Sequence, residues 1–450
     1  MNKDLTQGNI RKTLWIYCLP LIGSIVLHQI YNLADSVIAG RFIGEAALAA
    51  VGNASEITLF YTAFAMGCNM GCQVIISQLF GAKNIKSLKT GVLTSFIAFG
   101  VLCLLLMGAG LIFTKPILEL INTPQDIMQD SIDYLEIYTL GVPFVFFYNI
   151  ATGIFGALGD SKTPFIFLAI SSVTNILVDV LFVAVFKMGV KGVAWATFLC
   201  QGISAVLSLI VLALRLRKMK CEKYKVFSPL LLKKLSVVAL PSILQQSFIS
   251  VGNIIIQGVV NGYGSSVIAG FTAAMKLNNI AVSCFFAVAS GLSAFFAQNI
   301  GGRAYDRLKG GFKEAIYFAW LIAIPFIAIF CGLGEFGIQF FLDDTASELA
   351  VETGVRILRS IAPFYLIVSV KVVTDGVLRG AGAMKLFMID TFADLGLRVG
   401  FSFLLGYLFG SNGIWFSWGA GWSIGCVVAL IFYFKGYWKK NFEFLQNVES

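Results

Sequence analysis

Apolar stretches long enough to cross the roughly 30 Å hydrocarbon core of a bilayer recur twelve times along this chain of 450 residues. They run over residues 14–40, 45–76, 90–114, 128–157, 164–187, 190–214, 235–260, 266–298, 313–341, 346–378, 386–409 and 413–434. No other feature restricts the fold as tightly. Backbone N–H and C=O groups in lipid find no water, so they must bond within one segment, and a helix is the structure that does this. Composition agrees: 58% of residues are hydrophobic and 13% are charged, against about 25% charged in soluble domains. Several stretches exceed ~25 residues, which calls for tilt or extension beyond the bilayer. Residues 1–12 are polar, and the run after them is long and lacks a small-residue cleavage pattern, so the first span is expected to be retained. The fold class is an all-α integral membrane protein.

Positive charge orients the spans. With the N-terminus inside, 24 of the 33 Lys and Arg fall on the cytoplasmic side, six fall outside, and Lys276, Lys371 and Arg398 lie within spans. Both termini are then cytoplasmic, in a plasma membrane. The net charge of +9 reflects this bias and anchoring to lipid rather than a nucleic-acid partner. Eight of the nine Cys sit inside apolar stretches, and Cys68 and Cys72, one turn apart, read as small residues at a helix contact rather than a metal site.

The charged stretch Arg215–Lys225 separates two halves that resemble each other. Pro20 matches Pro241 at an offset of 221, and Gln78, Gly81 and Pro143 match Gln298, Gly301 and Pro363 at 220. Gly189 and Gly192 match Gly410 and Gly413 at 221, and the small pair Gly67/Gly71 recurs as Ala287/Gly291. The identical SVIAG at Ser36–Gly40 and Ser266–Gly270 is a decoy, because its offset of 230 disagrees with all the others. The chain divides into an N-lobe over 1–214, a basic cytoplasmic linker over 215–234 and a C-lobe over 235–450. Six spans per half predict two six-helix bundles related by a pseudo-two-fold axis along the membrane normal, with substrate bound between them.

Chemistry is expected where the halves differ. A charged carboxylate left in lipid costs roughly 3 kcal/mol or more, so Asp35 in span one and Asp179 in span five mark an ion or substrate path. At the repeat offset Asp35 falls opposite Ile255 or Ile256, Asp179 opposite Gly400, Asn175 opposite Gly396 and Thr197 opposite Trp418. Asn175 and Asp179, four apart, share a helix face, and Asn32 and Asp35 are three apart, with His28 one further turn back. Oxygens of Asp35, Asn175, Asp179 and Thr197 form a set suited to H⁺ or to Na⁺. Pro20 lacks the N–H of an i−4 bond and is a candidate hinge. In the second half Gln245, Gln246, Asn253 and Gln257 make a neutral polar stripe. Together with Asn32, His28 and Lys276 they are the candidate substrate-cavity residues. Asp390, Asp394 and Arg398, and Asp375 with Arg379, read as local charge neutralisation, Asp394 pairing with Arg398.

At this point the chain resembles the multidrug and toxic compound extrusion (MATE) family over roughly residues 10–435. The motifs are NLADSVIAG at Asn32–Gly40, SQLFGAKN at Ser77–Asn84, AQNIGGRA at Ala297–Ala304, GALGDSKTP at Gly156–Pro164 and DGVLRGAG at Asp375–Gly382. It is most similar to the DNA-damage-inducible-protein-F-like branch, which places an Asp in span one, an Asn and Asp four apart in span five, and a Thr in span six. Asp35, Asn175, Asp179 and Thr197 fit all of these. The other bacterial branch carries a glutamate in span seven, and no acid occurs between Pro241 and Asn261. Gly156 stands where the family often has Arg, and Ala383 where it often has Asp. The resemblance implies a monomeric antiporter that exports organic, cationic or amphipathic drugs in exchange for H⁺ or Na⁺, with no cofactor. The competing reading is a flippase of lipid-linked oligosaccharides, but a pyrophosphate cargo calls for more cavity cations than Lys276, Lys371 and Arg398 supply. An enzyme is disfavoured: no metal-ligand spacing, P-loop or nucleophile motif appears, and His28 is the single histidine.

Overall fold

The computed structural model describes residues 4–38, 43, 45–121, 123–221, 223–342 and 347–441; side chains at 32–38, 45–46, 48, 55–56 and 441 lie outside that description. Among the described residues the chain is helical throughout, with no strand. The helices are α1 (Ile10–Ile38), α2 (Glu45–Gly81), α3 (Ile85–Leu120), α4 (Gln125–Ala157), α5 (Lys162–Val180), α6 (Val190–Lys218) and α7 (Pro229–Asn261). They continue as α8 (Ser265–Gly301), α9 (Asp306–Gly332), α10 (Gly334–Phe341), α11 (Glu348–Ile361), α12 (Tyr365–Gly380), α13 (Met384–Phe409) and α14 (Ser411–Phe434). Twelve helical stretches among the described residues are long and apolar enough to span a bilayer, as the hydropathy pattern predicts.

Two stretches differ from their sequence outline. The ninth breaks at Leu333, between Gly332 and Gly334, where two poor helix formers flank one residue, and α10 follows as a separate two-turn piece. The tenth is α11 and α12 joined by a 3₁₀ turn over Ala362–Phe364, at the Pro363 that interrupts the backbone ladder. The basic linker is also shorter than its charge pattern suggests, because α6 runs to Lys218 and α7 begins at Pro229.

Packing divides the chain into two compact units, one over Gly23–Ile243 and the other formed by Leu5–Ile22 together with the chain from Leu244 on. The divisions fall inside α1 and α7, two residues past Pro20 and Pro241 in each case. Small residues explain this. In the first unit, a Cβ on Gly67 of α2 would collide with Ile243 of α7, and one on Gly71 would lie 2.9 Å from Ala239 Cβ. In the second, a Cβ on Gly291 of α8 would collide with Cys18 of α1. Lipid offers no hydrophobic drive between helices, so close backbone approach over such residues is what holds a span to its neighbours. The second unit also holds the lead-in to α1: Leu5 N–H donates to Gln298 Oε1 at 2.9 Å, and Arg307 donates to Gly8 O at 2.8 Å.

The internal repeat is written in the turns. Lys83 and Arg303, 220 apart, both adopt φ of 56°, a left-handed conformation uncommon for non-glycine residues. Gly189 and Gly410 take matching angles, φ 62° and ψ −144° against φ 64° and ψ −153°. Only glycine adopts that region at low cost, which accounts for its recurrence at this offset.

Candidate functional site

The first unit buries polar groups where a soluble helix would bury apolar ones. On α5 the buried residues are Pro164, Ser172, Asn175 and Asp179, while Ile166, Ile170, Val173 and Leu177 face outward. Spacings of three and four put Ser172, Asn175 and Asp179 in one stripe. A helix in lipid must show an apolar outer face, so a polar stripe turned inward is where ion or substrate chemistry concentrates. Asn175 is 1% and Asp179 0% exposed.

The backbone changes character directly after this stripe. Leu181–Val185 form a π-helical turn, in which Phe186 N–H donates to Leu181 O at 3.0 Å instead of to the residue four back. Such a turn inserts one residue into the ladder and re-aims the side chains beside it, and single π turns are frequent at functional sites.

Thr197 of α6 is buried, and its Oγ1 lies 3.3 Å from the hydroxyl of Tyr31 on α1. Ser171 Oγ donates to Cys200 O at 3.2 Å, tying α5 to α6. Of the predicted coupling residues, Asn175 and Asp179 thus share the buried face of α5 and Thr197 meets α1 through Tyr31. The side chains of Asp35 and Asn32 lie outside the described residues, although α1 continues through both positions. Position 35 is four residues past Tyr31, one helical turn on along the same face. Tyr31 and Ser172 were not singled out by the sequence; their positions one turn before Asp35 and one turn before Asn175 are the signal that could have found them.

The predicted cavity residues scatter. His28 is exposed, its ring 6.1 Å from that of Tyr31. Gln245 is buried and donates to Thr391 Oγ1 at 3.4 Å, Gln246 is half-buried, and Gln257 bonds to Asn261 on its own helix at 2.8 Å. Asn253 accepts from Arg398 at 3.2 Å. Lys276 is exposed, with its ammonium 5.6 Å above the Phe341 ring.

The charged residues of the second unit arrange themselves differently from the pattern expected within single helices. Lys371 of α12 lies 2.9 Å from Asp375, 3.2 Å from Asp390 and 3.4 Å from Asp394. The ion pair of Asp394 is therefore with Lys371, while Arg398 reaches Asn253 and stacks over Trp418 at 5.5 Å. Lys371 stands four before Asp375, a spacing visible in sequence; the two α13 carboxylates were not, because pairing them needs α12 and α13 side by side.

Outside the spans, Asp160 organises the turn between α4 and α5. Its carboxylate accepts from the N–H groups of Lys162 and Thr163 at 3.0 and 3.1 Å and from the Thr163 hydroxyl at 2.6 Å, and it pairs with Arg215. Burial would raise this carboxyl, but the Thr163 hydrogen bonds and the Arg215 guanidinium outweigh it and hold it below the ordinary carboxylate value. This accounts for the GDSKTP motif as a structural clamp.

Comparison with known proteins follows the same outline. The MatE family model matches residues 20–181 and 241–404, once in each half. The probable multidrug resistance protein YpnP of Bacillus subtilis is 30% identical, covering 97% of both chains. The DNA damage-inducible protein F of Escherichia coli is 24% identical, over 72% of this chain and 71% of its own. Among solved structures, the outward-facing conformation of a multidrug resistance MATE family transporter superposes with a TM-score of 0.90 at 21% identity, covering 99% of each chain.

Proposed function

This chain belongs to the MatE family, and we propose that it is a cation-coupled antiporter that exports organic, cationic or amphipathic compounds in exchange for H⁺ or Na⁺. Membership makes it a multi-pass membrane transporter rather than an enzyme. The observation that carries the coupling is the inward-turned polar stripe of α5, ending in Asp179 at a π turn. A fully buried carboxyl in a span is stable when neutral or neutralised, so its state depends on whether a cation is bound.

In this reading the cation is held by Asp179 and Asn175, with Asp35 and Thr197 completing the set, and Tyr31 holds the Thr197 hydroxyl in position. Cation arrival neutralises the acids, α1 bends at Pro20, where the backbone ladder is already open, and the drug-bound state loses stability. The two ligands bias one conformational equilibrium in opposite directions, which is antiport by linkage. The bent segment lies at the point where α1 passes from one compact unit to the other. One proton exchanged for one monovalent drug moves no net charge. A neutral drug exchanged for a cation gains about 2.3 kcal/mol per 100 mV, roughly a 50-fold gradient. The positive-inside bias puts both termini in the cytoplasm, and the chain works as a monomer among membrane lipids.

The test is efflux of a fluorescent cationic dye from proteoliposomes under imposed pH or Na⁺ gradients. Asp179→Asn should abolish gradient-driven efflux while the protein inserts and melts as the wild type does. Undiminished efflux by Asp179→Asn would falsify the coupling, and whichever gradient drives the wild type names the ion.

A further inference from the structure

Helix α8 opens on one side only, and that side is polar. Thr272, Lys276 and Asn279 are exposed and Ser283 and Phe286 half-buried, while Phe271 and Phe285 on the other side are buried in the core of the second unit. Spacings of four, three, four and three put the first five residues in one stripe, which passes the midpoint of the helix at Ser283. A side turned to lipid looks different: the exposed residues of α9 include Trp320, Leu321, Ile324 and Ile329.

An amide or hydroxyl exposed to hydrocarbon finds no partner, and short side chains do not reach the membrane surface as a lysine does along its stem. The stripe is therefore a wall of a water-filled path, the setting in which charged residues inside spans are found. Lys276 is the single charged residue of α8. Among the described residues it makes no ion pair, and its ammonium stands 5.6 Å from the centre of the Phe341 ring at the end of α10. At the repeat offset of 220 the first half carries Glu56, so the duplicated fold does not itself require a cation here. The Thr272 hydroxyl donates to Ile268 O at 2.9 Å, which leaves the Lys276 ammonium and the Asn279 amide as donors three residues apart on the same face.

We propose that this stripe binds the acidic group of the cargo, a carboxylate or similar anion on an amphipathic organic molecule. The anion takes the Lys276 ammonium and the Asn279 amide, and the rings of Phe341 and Phe286 offer apolar contact to the rest of the molecule. An ammonium is a compact charge with three rotatable donors on a flexible stem, so it accepts anions of differing shape rather than one fixed geometry. The proposal rests on the export reading and narrows it to compounds that carry an acid, alone or beside a cationic group.

The measurement is equilibrium binding by fluorescence anisotropy to the full-length protein in nanodiscs of zwitterionic lipid. Two probes are compared, a rhodamine whose carboxylate is free and the methyl ester of the same dye. Lys276→Gln should weaken binding of the acid by about fivefold, the size of an exposed ion pair, and leave the ester unchanged. Lys276→Arg should keep the wild-type preference and Lys276→Glu should reverse it. A wild type that binds neither dye or ignores the carboxylate, or a Lys276→Gln protein that loses both dyes equally, would overturn the proposal. Phosphatidylglycerol added to the discs separates cargo from lipid: if it displaces the acid from the wild type but not from Lys276→Gln, the occupant is a headgroup and the assignment to cargo falls. Binding is read without a gradient, so acid-selective binding beside absent efflux would remove the export reading and not this subsite.

Discussion

Helices α5 and α13 occupy the same place in the repeat, yet they bury opposite faces. At the 221 offset, Asn175 and Asp179 of α5 correspond to Gly396 and Gly400 of α13, which are exposed, with open space where a Cβ would stand. Conversely, the buried Asp390, Asp394 and Arg398 of α13 correspond to Ala169, Val173 and Leu177, none of them buried on α5. One scaffold was therefore used twice with the chemistry on different sides. The α5 face is lightly charged and ends at a π turn, and in the export reading proposed above it keeps an acid whose state an outside ion sets. The α13 face meets cations of the protein itself: Lys371 and Arg379 of α12 and Arg398 of α13 stand among Asp375, Asp390 and Asp394, three cations for three carboxylates. A duplicated fold conserves turns and small-residue contacts; it does not conserve which stripe of a helix is functional.

The largest expected effect sharpens this contrast from the α13 side. Lys371→Met leaves three buried carboxylates without their shared ammonium and should cost about 3–5 kcal/mol, read as a lowered thermal midpoint in detergent. Adding Asp375→Asn should recover part of it. A Lys371→Met protein that melts like the wild type would break the claim that α13 depends on its ion pairs with α12. The corresponding α5-side change is milder. Tyr31→Phe removes the hydroxyl beside Thr197 and should lower stability by about 1 kcal/mol, with dye efflux reduced by no more than about tenfold. Loss of all efflux would instead make the tyrosine an obligate member of the coupling set.

The smallest effect concerns pH and the clamp at Asp160. Its carboxyl is held below the unfolded value, so the clamp contributes stability above about pH 4 and loses it as pH falls through the lower folded value. Arg215→Gln moves the folded value back toward the unfolded one, so the acid-unfolding midpoint, followed by circular dichroism, should rise by a fraction of a pH unit. No such shift is expected from Arg356→Gln, whose i,i+4 partner Glu352 is exposed.

Some of this was legible from residues alone. Asp35, Asn175 and Asp179 stood out because an acid or amide in an apolar run is costly, and the four-residue spacing of the last two required a shared face. The Pro20/Pro241 match marked both the repeat and the points near which the compact units part. Other relations were hidden. Tyr31 is an ordinary aromatic in sequence, and only the approach of α1 to α6 makes it the neighbour of Thr197. Asp394 read as the partner of Arg398 one turn away, whereas the ammonium that it shares with Asp390 comes from a different helix. The basic linker looked like the seam of the molecule, but the first half of α7 packs on the glycines of α2 and the first half of α1 on α8.

What the sequence determined by itself was the number, length and duplication of the spans, since a backbone in hydrocarbon must close its hydrogen bonds within each segment and so makes hydropathy a ruler. The tertiary structure decided which face of each span turns inward and which charges meet. Those depend on helix rotation and on small-residue contacts between segments far apart in the chain, and a linear pattern records neither.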